Sequence, residues 1–276
     1  MEGFALLVYL LYRQTFLENW RIICMTYNKK IIRTNSYIEI YEYEYPIVSD
    51  FEVSNKNKKE SDLEFDELNS DEKDLKLKRL ARTRQRAKWN LVRLVDVNFD
   101  NRTSFLTLTT KENVTNRSIF NNMFDKFVTR LNYNVLGTKK RQIKYIAVLE
   151  KQKRGAWHVH MMLFNIPFVP HSKLLKIWRH GAVRINKIHE IDDAANAGIY
   201  VAKYMEKGMS QELLESMGKK SYYSSRNLKK VEEFKVLSDE KLFEKQQVVY
   251  EKNYYSKAYK NGKLVNNKVK YKKIKL

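Results

Sequence analysis

The stretch Glu150-Lys-Gln-Lys-Arg-Gly-Ala-Trp-His158-Val-His160-Met-Met-Leu-Phe164 holds a hairpin loop and its second strand, and the rest of the fold is read outward from it. His158 and His160 stand two apart in an apolar run, so on a strand they share one face while Trp157, Val159, Met161 and Leu163 share the other. Upstream, Ile143 to Glu150 also reads as a strand. Lys153-Arg154-Gly155 then makes a three-residue hairpin loop, with glycine where positive φ is needed. Pairing across that loop sets Glu150 opposite His158, and directly opposed residues of an antiparallel pair share a face. One carboxylate and two imidazoles therefore converge, an O/N donor set that suits Mg²⁺, Mn²⁺ or Zn²⁺. A His-x-His pair in a strand is by itself usually incidental. The aligned glutamate and a second segment forty residues on set this one apart.

Length and charge narrow the classes. At 276 residues the chain accommodates one main domain with terminal extensions. Fifty-three Lys and Arg against thirty-two Asp and Glu give a net charge of +21, which points to a polyanionic partner. Eighteen tyrosines add stacking surfaces suited to unpaired bases. A membrane surface is the competing polyanion, but the chain shows neither a basic amphipathic helix with a bulky apolar face nor a lipidation motif. The single cysteine, Cys24, excludes an intramolecular disulfide framework or a cysteine-rich zinc module and fits a reducing cytoplasm. Phe4 to Tyr12 is apolar but too short to span a bilayer, and it lacks the flanks of a signal peptide. Met25 begins a segment more like the rest of the chain and is an alternative start to Met1, which the intact mass of natively expressed protein decides.

The expected organisation is an N-terminal extension (1–70) with a short β segment and an acidic loop, a main domain (71–235), and a basic C-terminal extension (236–276). Ser36 to Tyr45 alternates as a strand, and residues 50–74 read as a solvated loop. From Asp71 to Val95 a helical run sets Leu80, Ala87, Leu91 and Leu94 in a stripe among cations. Of these, Arg79, Arg82, Arg84, Arg86 and Lys88 are candidate phosphate contacts, joined by Arg154 in the hairpin loop and Arg226 further on. Phe105 to Thr110 alternates as a strand, and Phe120, Phe124, Phe127 and Leu131 recur at helical spacing from Asn116 to Asn132, which marks core. After the hairpin come a helix at Ser172 to Arg179 closed by Gly181, a strand at Ala182 to Asn186, and a helix at Ala194 to Lys207 capped by Asp192 or Asp193 and ended by Gly208. This order describes an α+β domain with an antiparallel sheet.

On the last of these helices Tyr200, Lys203, Tyr204 and Lys207 are spaced i, i+3, i+4 and i+7, so all four lie on one face, opposite Gly198, Val201, Ala202 and Met205. Two tyrosines interleaved with two lysines make an odd core stripe, because lysine is seldom buried. They make a coherent reactive face. A phenol is a poor nucleophile at its ordinary pKa, and nearby ammonium groups and a metal ion favour the phenolate.

The strand Phe105-Leu-Thr-Leu-Thr-Thr110, then Trp157-His158-Val-His160, then Tyr200-Val-Ala-Lys203-Tyr204-Met-Glu-Lys207 resembles, in this order, the three-motif signature of rolling-circle replication initiators. These are the HUH (His-hydrophobe-His) endonucleases of small phages and plasmids. The two tyrosines one turn apart are similar to the gene A type of phage initiator. Trp178 and Gly181 before a strand, and Tyr223-Ser-Ser-Arg-Asn-Leu-Lys-Lys230 after the helix, extend the likeness over roughly residues 80–235. The resemblance implies a central antiparallel sheet flanked by helices, in a ferredoxin-like nicking domain. It also implies His158 and His160 as ligands of Mg²⁺ or Mn²⁺, and tyrosine attack on a DNA phosphodiester to give a 5′-phosphotyrosine. Glu150 is either a third ligand or a carboxylate orienting His158, and either tyrosine could attack first. No Gly-x4-Gly-Lys-Ser/Thr loop occurs, since Gly218-Lys-Lys-Ser lacks its upstream glycine. No nucleotide cofactor is expected, and a host helicase and DNA polymerase in a bacterial cytoplasm are implied as partners. A relaxase or single-strand transposase would use the same chemistry. A non-catalytic DNA-binding regulator and a zinc hydrolase acting through bound water are the readings from other classes.

Overall fold

The central strand of the larger unit is buried along nearly its whole length, and it sorts the chain into two cores. The computed structural model describes residues 26–48, 69–186, 194–207, 218–240, 247–260 and 263–276, and the chain divides into two compact units, residues 63–231 and residues 1–62 with 232–276. Among the described residues the fold is α+β, with two antiparallel sheets and four helices.

In the unit formed by residues 63–231 the strands are β3 (Ser104–Leu108), β4 (Lys144–Lys151), β5 (Trp157–Phe164), β6 (Val183–Asn186) and β7 (Tyr223–Ser224), in the order β6-β3-β5-β4-β7. Alternation along β5 sends Trp157, Val159, Met161 and Leu163 into a core with Phe120, Phe124, Phe127 and Leu131 of α2 (Arg117–Leu136) and Leu174, Ile177 and Trp178 of α3 (His171–Trp178). The other face of the sheet, with Phe105, Val148, Met162 and Phe164, packs under α1 (Ser70–Asn98) and α4 (Ala194–Lys207). The helix carrying the two tyrosines therefore covers the face to which His158 and His160 belong.

Local chemistry sets these elements. α1 begins at a capping box, in which the Asn69 side chain accepts from the Glu72 amide at 2.9 Å and Glu72 accepts from the Asn69 amide at 3.2 Å. Its buried residues are confined to the last turns, Leu91, Val92 and Val95, with Ala87 and Leu94 packed against them. Leu80, expected in the same stripe, is only half-buried and lies outside that cluster. α4 approaches α1 closely because Gly198 has no Cβ; one built there would stand 2.8 Å from the Val92 carbonyl oxygen. The end of α3 differs from expectation. Arg179, at φ 70°, takes the left-handed cap that the sequence pattern assigns to Gly181. Gly181 is required for another reason, since a Cβ there would lie 2.4 Å from the Thr109 carbonyl oxygen. The caps expected at Asp192 or Asp193 and at Gly208, the segment 1–25 and nearly all of the acidic loop lie outside the described residues.

The other unit is a sheet in the order β8-β1-β2-β10-β9, built from β1 (Thr26–Arg33), β2 (Tyr37–Val48), β8 (Glu232–Val236), β9 (Val248–Lys260) and β10 (Lys263–Lys275). Strands from the two ends of the chain thus share one sheet, with β2 and β10 paired from Tyr43↔Val269 to Tyr37↔Lys275. Its apolar cluster is small: Ile31, Ile38, Ile40 and Ile274, with Phe234 and Val236 against it. Among the described residues, no helix is long and apolar enough to cross a membrane.

Candidate functional site

The hairpin pairs in the register expected from its loop. Gly155 adopts φ 87°, and Glu150 stands opposite His158 with Val148 opposite His160. The Glu150 Oε2 atom lies 2.9 Å from the Nε2 atom of His158 and 2.7 Å from that of His160. One donor atom from each residue lies within 4.8 Å of the other two. The far side of each ring is also engaged. Thr107, directly across β3 from His160, places its hydroxyl 3.1 Å from Nδ1, and the Gln152 amide is 3.5 Å from Nδ1 of His158. Each imidazole thereby turns Nε2 toward the glutamate. Two neutral nitrogens and one carboxylate oxygen on a mostly buried sheet face suit a divalent cation that keeps open positions for substrate. Burial opposes ionisation of Glu150, but the hydrogen bonds from His158 and His160 outweigh it and hold the carboxyl well below the usual carboxylate range.

The tyrosines complete the site from above. The ring of Tyr204 stacks on that of His160, centroids 3.5 Å apart and planes inclined by 16°. The Tyr204 hydroxyl donates to that of Tyr200 at 3.3 Å. Phe105 on β3 supports the group, stacked on His160 and Tyr204 at 6.0 Å and meeting Tyr200 edge-on at 5.3 Å. The Lys203 ammonium sits 3.6 Å from the centre of the Tyr200 ring and 5.1 Å from that of Tyr204. Burial pushes the Tyr204 phenol above its ordinary range; the hydrogen bond and charge of Tyr200 and the charge of Glu150 add to this, and Arg184 opposes it. The face opposite the tyrosines is buried as expected, with Val201 and Ala202 fully enclosed and Met205 nearly so.

Glu150, His158, His160, Tyr200, Lys203 and Tyr204 thus form one cluster. The side chain of Lys207 lies outside the described ones. Arg79, Arg82 and Arg86 are exposed on the N-terminal part of α1, with Arg84 and Lys88 half-buried. Arg154 donates to the carbonyl oxygens of Thr110 at 2.5 Å and Lys111 at 3.3 Å, which ties the hairpin loop to the chain leaving β3. Arg226 is exposed beside a cavity of about 430 Å³ also lined by Arg141 and Tyr145. Three contributors escape a reading of the sequence: Thr107, Gln152 and Arg184. Arg184 pairs with Thr107, which pairs with His160, so all three share one sheet face. The strand carrying Arg184 is legible in the sequence, but its register, set by pairing with β3, is not.

Residues 103–209 match the protein family described as Replication-associated protein ORF2. The matched span runs from β3 through α4 and contains Glu150, both histidines and both tyrosines. It supports a replication initiator and, with it, interaction with DNA. Neither the curated proteins nor the solved structures give a match.

Proposed function

We propose that the chain is a rolling-circle replication initiator of the HUH class, which nicks and rejoins single-stranded origin DNA through a 5′-phosphotyrosine intermediate. The observation that carries this reading is the stacking of Tyr204 on His160, which sets two phenolic hydroxyls beside two imidazoles and a carboxylate able to hold a cation. Glu150, His158 and His160 would hold Mg²⁺ or Mn²⁺, which when bound supplies Lewis-acid polarisation of a phosphate oxygen.

The protein's own groups supply the rest. Cations along α1 engage the strand's phosphates. A phenolic oxygen, of Tyr200 or Tyr204, bonds to phosphorus as the bond from phosphorus to the 3′ oxygen breaks. The phenolic proton leaves, and the departing 3′ oxygen takes one up as a free hydroxyl. Lys203 and Arg184 offset the negative charge that grows on phosphate and phenol. The ester conserves the energy of the broken bond, so attack by a 3′ hydroxyl restores the strand. With two hydroxyls 3.3 Å apart, one tyrosine can hold the 5′ end while the other attacks. Unwinding and synthesis would fall to a host helicase and polymerase in the bacterial cytoplasm.

The test is cleavage of labelled single strands covering the parent replicon, with Mn²⁺ or with EDTA. Metal-dependent cleavage that leaves protein on the 5′ fragment through denaturation supports the proposal. Cleavage that leaves both ends free of protein would favour a hydrolase.

A further inference from the structure

We infer that the tyrosine-rich face of the sheet β8-β1-β2-β10-β9 binds single-stranded DNA by stacking unpaired bases, at a surface apart from the residues of the nicking site. The inference rests on reading the protein as one that handles single-stranded DNA, but the surface is testable without cleavage.

Strand register sorts the side chains. Ile31, Ile38, Ile40 and Ile274 occupy one face and form the apolar cluster of this unit. The opposite face is aromatic. Tyr27 meets Tyr43 edge-on at 5.8 Å across β1 and β2, and Tyr41 leans on Tyr271 at 4.9 Å across β2 and β10. Tyr250 on β9 continues the row, 6.0 Å from Tyr271. Tyr254, opposite Val269, which is itself opposite Tyr43, lies on the same face. Tyr37 and Tyr45 carry lysine ammonium groups over their rings, Lys273 at 3.8 Å and Lys260 at 3.9 Å. Eight tyrosines therefore line one face across four adjacent strands. They are not the unit's core: Tyr250 and Tyr254 are 52% and 37% exposed, and the other six are half-buried.

Charge selects the partner. The register adds Lys30, Lys235, Lys252 and Lys263 to this face. Its two carboxylates are engaged within it. Glu233 is 2.8 Å from Lys30, and Glu39 accepts from the hydroxyls of Tyr41 at 3.2 Å and Tyr271 at 3.0 Å. Rows of aromatic rings flanked by ammonium groups, spaced along parallel lines of a sheet, match the alternation of base and phosphate in an unpaired strand. A duplex hides its base faces and an apolar protein surface offers no counter-charge, so neither fits as well.

The experiment uses the full chain in EDTA. Fluorescence anisotropy is measured with a labelled oligothymidylate and with an abasic strand of the same length, for the native protein and for Tyr250→Leu/Tyr254→Leu and Tyr250→Phe/Tyr254→Phe. The leucine pair is expected to bind the base-bearing strand about tenfold or more weakly and the abasic strand unchanged, with the phenylalanine pair close to native. Equal loss on both strands, or no loss with leucine, overturns the inference. Should the leucine pair fail to fold, photocrosslinking of a 5-iodouridine strand to the native protein decides. Crosslinks within residues 247–260 support the surface, and crosslinks confined to residues 69–231 overturn it. Metal-dependent adduct formation on the same proteins separates the two proposals, since an adduct that persists while affinity is unchanged refutes only this surface, and absence of any adduct in the native protein refutes only the nicking centre.

Discussion

The ring of Tyr204 lies on the imidazole of His160 with centroids 3.5 Å apart, while its hydroxyl reaches that of Tyr200, one helical turn earlier. The contact joins two elements remote in sequence, a central strand and the helix above it, and it orients the phenol edge relative to the cation-binding cluster. Phe105 beneath both rings leaves the stack little room to slide.

Removing one hydroxyl should therefore change chemistry far more than structure. Tyr204→Phe and Tyr200→Phe keep the rings and lose one partly buried hydrogen bond, a cost of about 1 kcal/mol at most. Thermal midpoints within a few degrees of native are expected, with single-strand affinity in EDTA changed less than about twofold. Adduct yield then assigns the nucleophile, and the double variant should form none.

Thr107 acts through His160. Thr107→Val keeps the shape of the side chain and removes the hydroxyl 3.1 Å from Nδ1, freeing the ring to turn. Calorimetric titration with Mn²⁺ should show affinity reduced by roughly 10- to 100-fold, as is typical when the outer partner of a ligating histidine is lost. Unchanged affinity would mean that packing between Phe105 and Tyr204 alone orients the imidazole.

How much of this is legible in the chain differs from residue to residue. The facing of Glu150 and His158 follows from a loop with glycine at a fixed place, and the core stripe Phe120–Leu131 from helical spacing; both are local patterns. The partnership of Thr107 and Arg184 with His160 depends on registers between strands brought together only in the folded sheet. Likewise, nothing local to Tyr37–Val48 announces that its neighbour is Lys263–Lys275, some 220 positions later, so the tyrosines of the two segments give no sign of lying on one face. The switch of the α3 cap from Gly181 to Arg179 has the same origin, since Gly181 answers to the close passage of Thr109.

Gly198 lets α4 settle against α1. Gly198→Ala places a methyl 2.8 Å from the Val92 carbonyl oxygen, and backbone cannot yield as a side chain does. Destabilisation of about 1–3 kcal/mol is expected from urea unfolding. Adduct formation should fall even where the protein is fully folded, because the helix bearing both tyrosines must lift.

Acid should loosen the metal-free cluster. The Glu150 carboxyl is depressed in the folded protein relative to a free value of about 4.3, so its ionised form contributes stability above that pH, and the contribution is lost as pH falls below it. In EDTA, the gap in thermal midpoint between native protein and Glu150→Gln should be widest at neutral pH and shrink as pH drops below about 4. A gap independent of pH would show that the glutamate contributes by packing alone.

The central claim, a covalent bond between a tyrosine of α4 and the 5′ end of nicked DNA, is tested most directly by the denatured intact mass of the protein after incubation with single-stranded origin DNA and Mn²⁺. The account predicts a species heavier than the protein by the 5′-phosphorylated fragment, mapping to Tyr200 or Tyr204 after proteolysis and absent from Tyr200→Phe/Tyr204→Phe. Folded protein that cleaves the strand yet shows only its own mass, or an adduct that persists in the double variant, would contradict it.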